Sequence, residues 1–210
     1  MEHEKLKQIL VSGTSAVGKS TLLDRLNIKL NGEGTDVELV DTDKVREDLR
    51  AAARRRRDLG EEIDSTILDM NYDLPLFEGK KNQIRQANIF RRDALDRLNK
   101  DAREQNLRGS VVAGVNILPG YVKQGTFANT DLIEYLLWQP NSAKHLEWFL
   151  YRTFDRGNLN NEADYDSTMA RFGRMMRFQE YLLYQARKLG IPIVGDVHEL
   201  TERIATDLQK

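Results

Sequence analysis

The sequence predicts an α/β fold: a five-stranded, mainly parallel sheet with helices on both faces. Short apolar segments alternate with helical patterns along the chain. The helical segments carry apolar residues three and four positions apart, as helices that cover a sheet do. A chain of 210 residues without an internal repeat or a low-complexity linker suits a single domain, 1–210.

The N-terminal part begins with a strand, a glycine-rich loop and a helix. QILVSG (8–13) is an apolar segment that ends in glycine and predicts a buried strand. After Gly18, leucines recur at helical spacing, and NGEG (31–34) ends that helix. DVELVDTD (36–43) predicts the second strand, and the alanine- and arginine-rich segment after it predicts a helix.

The same alternation continues to the C-terminus. Residues 80–106 carry an apolar stripe that predicts a long helix. GSVVAGVNILPG (109–120) predicts the third strand with a loop after it. DLIEYLLWQ (131–139) and IPIVGDV (191–197) predict the fourth and fifth strands.

Three helices are predicted in the last third of the chain. One begins with Asn141 or Ser142 as its N-cap, because a side-chain oxygen there can accept a hydrogen bond from the first turn. A second runs from Met169 to Leu189, and a third closes the chain. The polar segment 155–166 is predicted to be a loop.

The composition excludes several classes of protein. The chain has no cysteine, which excludes a disulfide scaffold, thiolate metal sites and cysteine nucleophiles. A formal net charge of −1 provides no overall attraction to nucleic acid or to a membrane. No segment approaches the roughly 18 apolar residues of a membrane span, and the first residues lack the apolar core of a secretory signal. We therefore expect a cytoplasmic protein.

The segment GTSAVGKS (13–20) matches the phosphate-binding pattern G-x-x-x-x-G-K-[ST], between a predicted strand and a predicted helix. Glycine lets backbone amides curl around a phosphate, and the start of the helix presents its positive dipole end. The lysine is expected to bridge β- and γ-phosphates, and the serine hydroxyl to hold Mg²⁺. The predicted nucleotide-binding residues are Gly13, Thr14, Ser15, Ala16, Val17, Gly18, Lys19, Ser20 and Thr21, with Ser20 also the metal ligand.

Two carboxylates end the second strand, and two arginines follow them. Ligands of open α/β sheets bind at the carboxyl ends of strands, so Asp41 and Asp43 are expected near the chemistry. Asp43 is predicted to accept a proton from an attacking hydroxyl or to support Mg²⁺, or else to cap the next helix. Arg46 and Arg50 share a helix face suited to a substrate anion, although Arg46 can also pair with Asp43 or Glu47.

Other charged residues have less specific interpretations. RRRR (54–57) lies among acidic residues, which favours a solvated helix face over a nucleic-acid site. Arginines around 155–166 predict a flap that closes over the transferred phosphate, with Arg156 best placed, or else ordinary surface residues. The aromatic residues Trp138, Trp148 and Phe149 are expected to pack in the core or between helix and sheet, and His145 is expected to be structural.

Four segments, in order, resemble the archaeal 2-phosphoglycerate kinases and their P-loop kinase relatives: GTSAVGKST, DTDKVREDLR, VVAGVNILPG and RFQEYLLYQARKLGIPIV. The resemblance extends from about Leu10 to Val194. It implies a fold similar to that of nucleoside monophosphate kinases, and transfer of the ATP γ-phosphate to a hydroxyl of 2-phosphoglycerate. Where relatives read close to IEGVHLVPG, this chain has VAGVNILPG, with Ala113 in place of the acid and Asn116 in place of the histidine. An acid at that position could serve Mg²⁺ or the acceptor, so without it Asp43 is the stronger candidate for that role. Asn116 either contacts the acceptor or forms a turn.

These observations together predict a kinase that uses ATP and Mg²⁺ to phosphorylate 2-phosphoglycerate or a similar phosphorylated sugar acid. The predicted catalytic residues are Lys19, Asp43 and Arg156, and the predicted acceptor-binding residues are Asp43, Arg46, Arg50 and Asn116. The acceptor is expected on a helical segment at about 44–106, and the lid at about 152–177.

Other functions were weighed against this prediction. A GTPase needs an N-K-x-D sequence, and the nearest one, at 99–102, ends in alanine. A polynucleotide or nucleoside kinase, and a catalytically impaired ATP-binding relative, remain alternatives.

Overall fold

A computed structural model of the chain describes residues 5–62, 81–82, 84–87, 95–122, 129–155 and 162–210. Within these ranges, no helix combines the length and the apolar character that crossing a membrane requires.

Five parallel strands form the sheet, in the order β2-β3-β1-β4-β5. The first strand is central, and the chain first builds the sheet on one side of it and then on the other, so a switch point lies at its carboxyl end. Ser12 lies opposite Gly114, and Asp41 lies opposite Ala113, so three strands end at the same level. The strands are β1 (Leu6–Ser12), β2 (Val37–Asp41), β3 (Gly109–Gly114), β4 (Thr130–Leu137) and β5 (Ile193–Val194).

Helices cover both faces of the sheet, so the predicted fold class is confirmed. Alternate residues of each strand point to opposite faces, and on β1 Ile9 joins one core cluster and Leu10 another. α1 and α6 cover the first face, and α3 and α5 contribute to the clusters on the second. The helices are α1 (Lys19–Gly32), α2 (Thr42–Asp58), α3 (Asp96–Glu104), α4 (Ser142–Asp155), α5 (Glu162–Leu189) and α6 (Val197–Gln209).

Gly114 allows the start of α2 to approach the sheet closely. A Cβ atom at this position would lie 1.5 Å from the Thr42 Oγ1 atom, a distance that no two such atoms can adopt. Thr42 is itself completely buried. The contact holds the first turn of α2 against the carboxyl end of β3, which places Asp41 and Asp43 beside the phosphate-binding loop.

Two of the boundary predictions can be compared directly with the structure. Asn141 is the N-cap of α4, because its Oδ1 atom accepts a hydrogen bond from the Lys144 amide at 3.0 Å. The predicted loop at 155–166 is wrong for its last part, because α5 begins at Glu162. Asp164 and Asp166 lie near the start of this helix, where negative charge is favourable beside the positive end of the helix dipole.

The helix predicted at 80–106 is only partly described. Residues 84–87 and Asp96–Glu104 are helical, and Ala87 and Ala102 are buried as the apolar stripe predicts. Residues 81–82 are helical as well, and residues 80, 83 and 88–94 lie outside the described residues. RRRR (54–57) is exposed on α2, as expected for a solvated face, and Arg56 pairs with Glu61 at 2.6 Å.

Candidate active site

The phosphate-binding loop connects β1 to α1 at the switch point of the sheet. Gly18 has a φ angle of 100°, a conformation that side chains with a Cβ atom rarely adopt. A Cβ atom there would also lie 2.8 Å from the Val197 side chain at the start of α6. Glycine at this position therefore lets the backbone turn into α1 while another loop packs against it.

Lys19 lies inside this loop with 6% of its surface exposed. Its Nζ atom donates hydrogen bonds to the Thr14 carbonyl at 2.6 Å and the Gly13 carbonyl at 3.1 Å. The pKa of Lys19 is lowered to about 8, mainly by burial and also by the nearby Arg152 charge, although the Asp43 carboxylate opposes the shift. The side chain is thus a poorly solvated cation, a state that an added anion would stabilise.

Ser20 and Asp41 present oxygen atoms side by side. The Ser20 Oγ atom donates a hydrogen bond to the Asp41 Oδ2 atom at 3.0 Å. The Asp41 Oδ1 atom accepts the Asp43 amide at 2.8 Å, so Asp41 is the N-cap of α2. The alternative in which Asp43 caps this helix is therefore wrong, and the Asp43 carboxylate is available for other contacts.

A magnesium ion fits the Ser20–Asp41 pair chemically, because Mg²⁺ prefers hard oxygen ligands. The described residues contain no group of three or more histidine, aspartate or glutamate side chains arranged to hold a metal. A site with few protein ligands is the usual arrangement for Mg²⁺ that is also bound by substrate phosphates and water.

Asp43 is held as a carboxylate between cations. Its side chain is 12% exposed and lies 3.6 Å from the Arg46 guanidinium, and its Oδ1 atom accepts the Val115 amide at 3.4 Å. Burial alone would raise the pKa of Asp43, but the charges of Lys19, Arg46 and Arg152 outweigh it, and the pKa is lowered. Asp43 is therefore ionised at neutral pH.

A cavity of about 710 Å³ joins these residues to two more distant parts of the chain. The phosphate-binding loop and Asp43 line one side, α4 lines another, and the β5–α6 connection lines a third. The cavity-lining residues of α4 are Lys144, Trp148 and Arg152. The β5–α6 connection contributes Gly195 and Asp196, and the first turn of α6 contributes Val197 and His198.

Sequence reasoning missed most of these distant residues. Trp148 was expected in the core or between helix and sheet. It is instead only partly buried, lines the cavity, and has the Lys144 Nζ atom 4.9 Å from its ring centroid. Lys144, Trp148 and Arg152 recur every four residues, so they share one helix face, and this spacing was the available signal. Arg152 faces the Lys19 and Asp43 charges, whereas Arg156 lies outside the described residues.

Of the predicted acceptor-binding residues, Asp43 lines the cavity, whereas Arg46, Arg50 and Asn116 are not among its lining residues. Arg50 is 1% exposed and its Nη1 atom donates to the Glu47 carboxylate at 3.1 Å, and burial lowers its pKa. Arg46 pairs with Asp43 and, at 4.0 Å, with Glu47, and Asn116 is 5% exposed just beyond β3. The structure thus brings Arg46 next to Asp43 at the start of α2, whereas Arg50 lies further along the same helix and contacts Glu47.

The known proteins that this chain resembles in sequence are kinases. The family model for adenylylsulphate kinase matches residues 5–64. A 2-phosphoglycerate kinase from Thermococcus kodakarensis is 25% identical over 206 residues, which is 95% of this chain and 64% of that protein. This chain therefore spans about 64% of the length of that relative.

Among solved structures, shikimate kinase from Acinetobacter baumannii in complex with shikimate has a TM-score of 0.48 and is 16% identical, with 98% of this chain and 94% of that chain covered. Both sequence matches are kinases. The predicted resemblance to the P-loop kinases is thus confirmed.

Proposed function

We propose that this protein transfers the γ-phosphate of ATP, with Mg²⁺, to a hydroxyl group of a small anionic metabolite. One observation carries the proposal. The buried Lys19 ammonium, the Ser20 hydroxyl and the ionised Asp43 carboxylate all face one cavity at the carboxyl end of the sheet. A phosphate grip, a metal ligand and an acceptor for a hydroxyl proton are the groups that phosphoryl transfer needs.

The triphosphate would bind in the curl of the loop. Amides at the start of α1 would donate to the β-phosphate, and Lys19 would exchange its contacts with the Gly13 and Thr14 carbonyls for phosphate oxygens. Because the ammonium is already buried and only weakly compensated, this exchange is favourable. The base would lie in the part of the cavity lined by Trp148 and the β5–α6 connection.

Ser20 and Asp41 would hold the metal. When bound, Mg²⁺ neutralises charge on the β- and γ-phosphate oxygens. The Ser20 Oγ atom would ligate the metal directly. The Asp41 carboxylate, which accepts a hydrogen bond from the Ser20 hydroxyl, would orient that hydroxyl.

Asp43 would accept a hydrogen bond from the acceptor hydroxyl. Its lowered pKa makes it a weak base, so it would orient the hydroxyl first and take the proton only as the bond to phosphorus forms. Arg152, whose charge reaches both Lys19 and Asp43, would neutralise the phosphoryl group in transit.

For the acceptor, we propose 2-phosphoglycerate or a similar phosphorylated sugar acid. The similarity to the Thermococcus 2-phosphoglycerate kinase supports this choice, as do the Arg46 guanidinium beside Asp43 and the buried Arg50 further along the same helix. Arginine forms paired hydrogen bonds with carboxylates and phosphates, the two anionic groups of such a molecule. The buried Asn116 amide would contact its hydroxyl groups.

A screen for acceptor-dependent ADP release tests the proposal. Mg-ATP would be incubated with 2-phosphoglycerate, other phosphorylated sugar acids, polyols, nucleosides and short oligonucleotides, with the Lys19→Ala variant as the matched control. We expect release above the acceptor-free background with a phosphorylated sugar acid and none in the variant. Release that depends on oligonucleotides or nucleosides instead would refute the acceptor, and the absence of Mg-ATP binding by calorimetry would refute the proposed function.

A further inference from the structure

The first half of the phosphate-binding loop rests on two helices far along the chain. The Thr14 Oγ1 atom donates a hydrogen bond to the Gln179 Oε1 atom of α5 at 3.0 Å. The next residue, Ser15, accepts a hydrogen bond at its carbonyl from the His145 Nε2 atom of α4 at 2.8 Å. All of these side chains are buried, with exposures of 1% for Thr14, 4% for Gln179 and 0% for His145.

Within the described residues, the His145 ring makes one hydrogen bond, to the Ser15 carbonyl, and packs edge-to-face against the Phe172 ring at 5.7 Å between centroids. A carbonyl oxygen only accepts, so the Nε2 atom must carry the proton of the ring. The Nδ1 atom is buried and has no hydrogen-bond partner in the described part of the chain. Burial lowers the pKa of His145, and the Lys19 charge lowers it further, so the ring is neutral at neutral pH. A histidine this deeply buried makes its one hydrogen bond to the phosphate-binding loop.

The residue that follows these contacts is in an unusual conformation. Ala16 has a φ angle of 59°, in the left-handed region that residues other than glycine rarely occupy. It also packs against the cluster of Phe149, Phe172 and Met175, which belongs to α4 and α5. Such a conformation persists only where the surroundings hold it, and here the hydrogen bonds to Thr14 and Ser15 precede it directly.

We infer that His145 and Gln179 are positioning residues, which hold the phosphate-binding loop in its anion-receiving shape and couple it to α4 and α5. The relevance to nucleotide rests on the proposed function. α4 also carries Lys144, Trp148 and Arg152 on the face that lines the cavity. Phosphate in the loop therefore stabilises the helix that presents Arg152, and loss of either hydrogen bond uncouples the two.

Hydrogen–deuterium exchange of the ligand-free protein tests the hydrogen bonds directly. We expect His145→Leu and Thr14→Val to speed exchange of the amides of residues 14–19 by about tenfold, the effect of losing one buried hydrogen bond of ordinary strength. His145→Gln should keep the slow rate, because its Nε2–H group reaches nearly the same position. Thr153→Val is the matched control, since the Thr153 hydroxyl is buried in α4 but donates only to its own helix, at the Phe149 carbonyl.

The outcomes that overturn the inference follow from the same variants. Unchanged loop exchange in Thr14→Val, or equal exchange in His145→Gln and His145→Leu, would show that the contacts are packing alone. Should His145→Leu fail to fold, Thr14→Val and His145→Gln still decide the question.

Binding of magnesium tripolyphosphate tests the coupling. In the wild-type protein, we expect tripolyphosphate to slow exchange in α4, and in His145→Leu and Thr14→Val we expect about tenfold weaker binding without that protection. Equal affinity in wild type and both variants would overturn the coupling. Failure of the wild-type protein to bind tripolyphosphate would instead refute the proposed function, while exchange of the ligand-free loop would still decide the role of His145.

Discussion

The Ser20 hydroxyl donates a hydrogen bond to the Asp41 carboxylate over 3.0 Å, and so joins the first turn of α1 to the carboxyl end of β2. The two residues are brought together although β2 is separated from β1 by β3 in the sheet. This contact leaves two oxygen ligands beside the phosphate-binding loop, where the metal of a bound nucleotide would lie.

Ser20→Ala should raise the Mg²⁺ concentration needed for half-maximal turnover by at least about tenfold, because the variant removes a hard oxygen ligand. A magnesium titration at saturating ATP measures this. Ser142→Ala, at the start of α4, is the control and should leave the titration unchanged. If Ser20→Ala needs the same magnesium concentration as the wild-type protein, Ser20 is not a metal ligand.

Lys19→Ala should abolish turnover while the far-ultraviolet circular dichroism stays that of the folded protein. The ammonium is the only proposed contact that bridges the transferring phosphate to the loop, and losing such a contact costs about a hundredfold or more in turnover. ADP release at saturating Mg-ATP provides the measurement. Turnover retained within tenfold of wild type contradicts the assignment.

Nucleotide binding should take up a proton at about pH 8.5 to 9. In the ligand-free protein the Lys19 pKa is about 8, so the ammonium is partly lost there, whereas bound phosphate restores it. Calorimetry in two buffers of different ionisation enthalpy measures the uptake, which should disappear in Lys19→Arg, since a guanidinium keeps its proton. An uptake of the same size in Lys19→Arg would assign it to another group.

The same linkage affects the stability of the ligand-free protein. Between about pH 8 and 10.5 an unfolded lysine keeps a proton that the folded Lys19 has lost, so the free energy of unfolding should rise with pH across this window. The size of the pKa shift corresponds to roughly 3 kcal/mol. Urea titrations at several pH values, compared with Lys19→Met, isolate the contribution, and parallel curves for the two proteins would count against it.

Asp43→Asn should lower the turnover number by about a hundredfold or more and change ATP affinity much less. The carboxylate faces the acceptor side and acts on the hydroxyl proton in the transition state, to which general base catalysis contributes about 10²–10⁴-fold. Steady-state kinetics with calorimetric ATP binding separates the two effects. Asp48→Asn, on the exposed surface of the same helix, is the control. A loss of affinity as large as the loss of turnover would contradict the role.

Arg152→Ala should lower turnover by at least about tenfold, because its charge reaches both Lys19 and Asp43 and would stabilise the phosphoryl group in transit. Arg177→Ala, exposed on α5, is the control. The Arg156→Ala variant shows whether the arginine favoured by the sequence acts as well. Wild-type turnover in Arg152→Ala would show that a residue other than Arg152 neutralises the transferred phosphoryl group.

The elements that could be predicted from the sequence are those whose signal lies within a short segment of the chain. The phosphate-binding loop was predicted because its pattern occupies eight consecutive residues, and amide geometry, glycine conformation and the start of a helix are all local. Strand and helix types followed from apolar periodicity, which each element carries within itself. The polar start of α5 was mistaken for a loop. Polarity alone does not reveal whether charged side chains lie at a helix end where the helix dipole stabilises them.

Local patterns did not reveal which side chains meet across the fold. Asp41 was placed near the chemistry, but its pairing with Ser20 depends on the order β2-β3-β1. Trp148 was expected in the core or between helix and sheet, but it lines the cavity. The contact between His145 and Ser15 joins residues 130 positions apart in the sequence.

The sequence by itself therefore determined that the chain builds a parallel α/β sheet with a phosphate-binding loop at the end of its first strand. Only the tertiary structure decided that α4 and the β5–α6 connection complete the cavity, and that buried groups of α4 and α5 hold the loop. The physical reason is that periodicity records which face of an element is buried, whereas the partner of that face depends on strand order and helix packing.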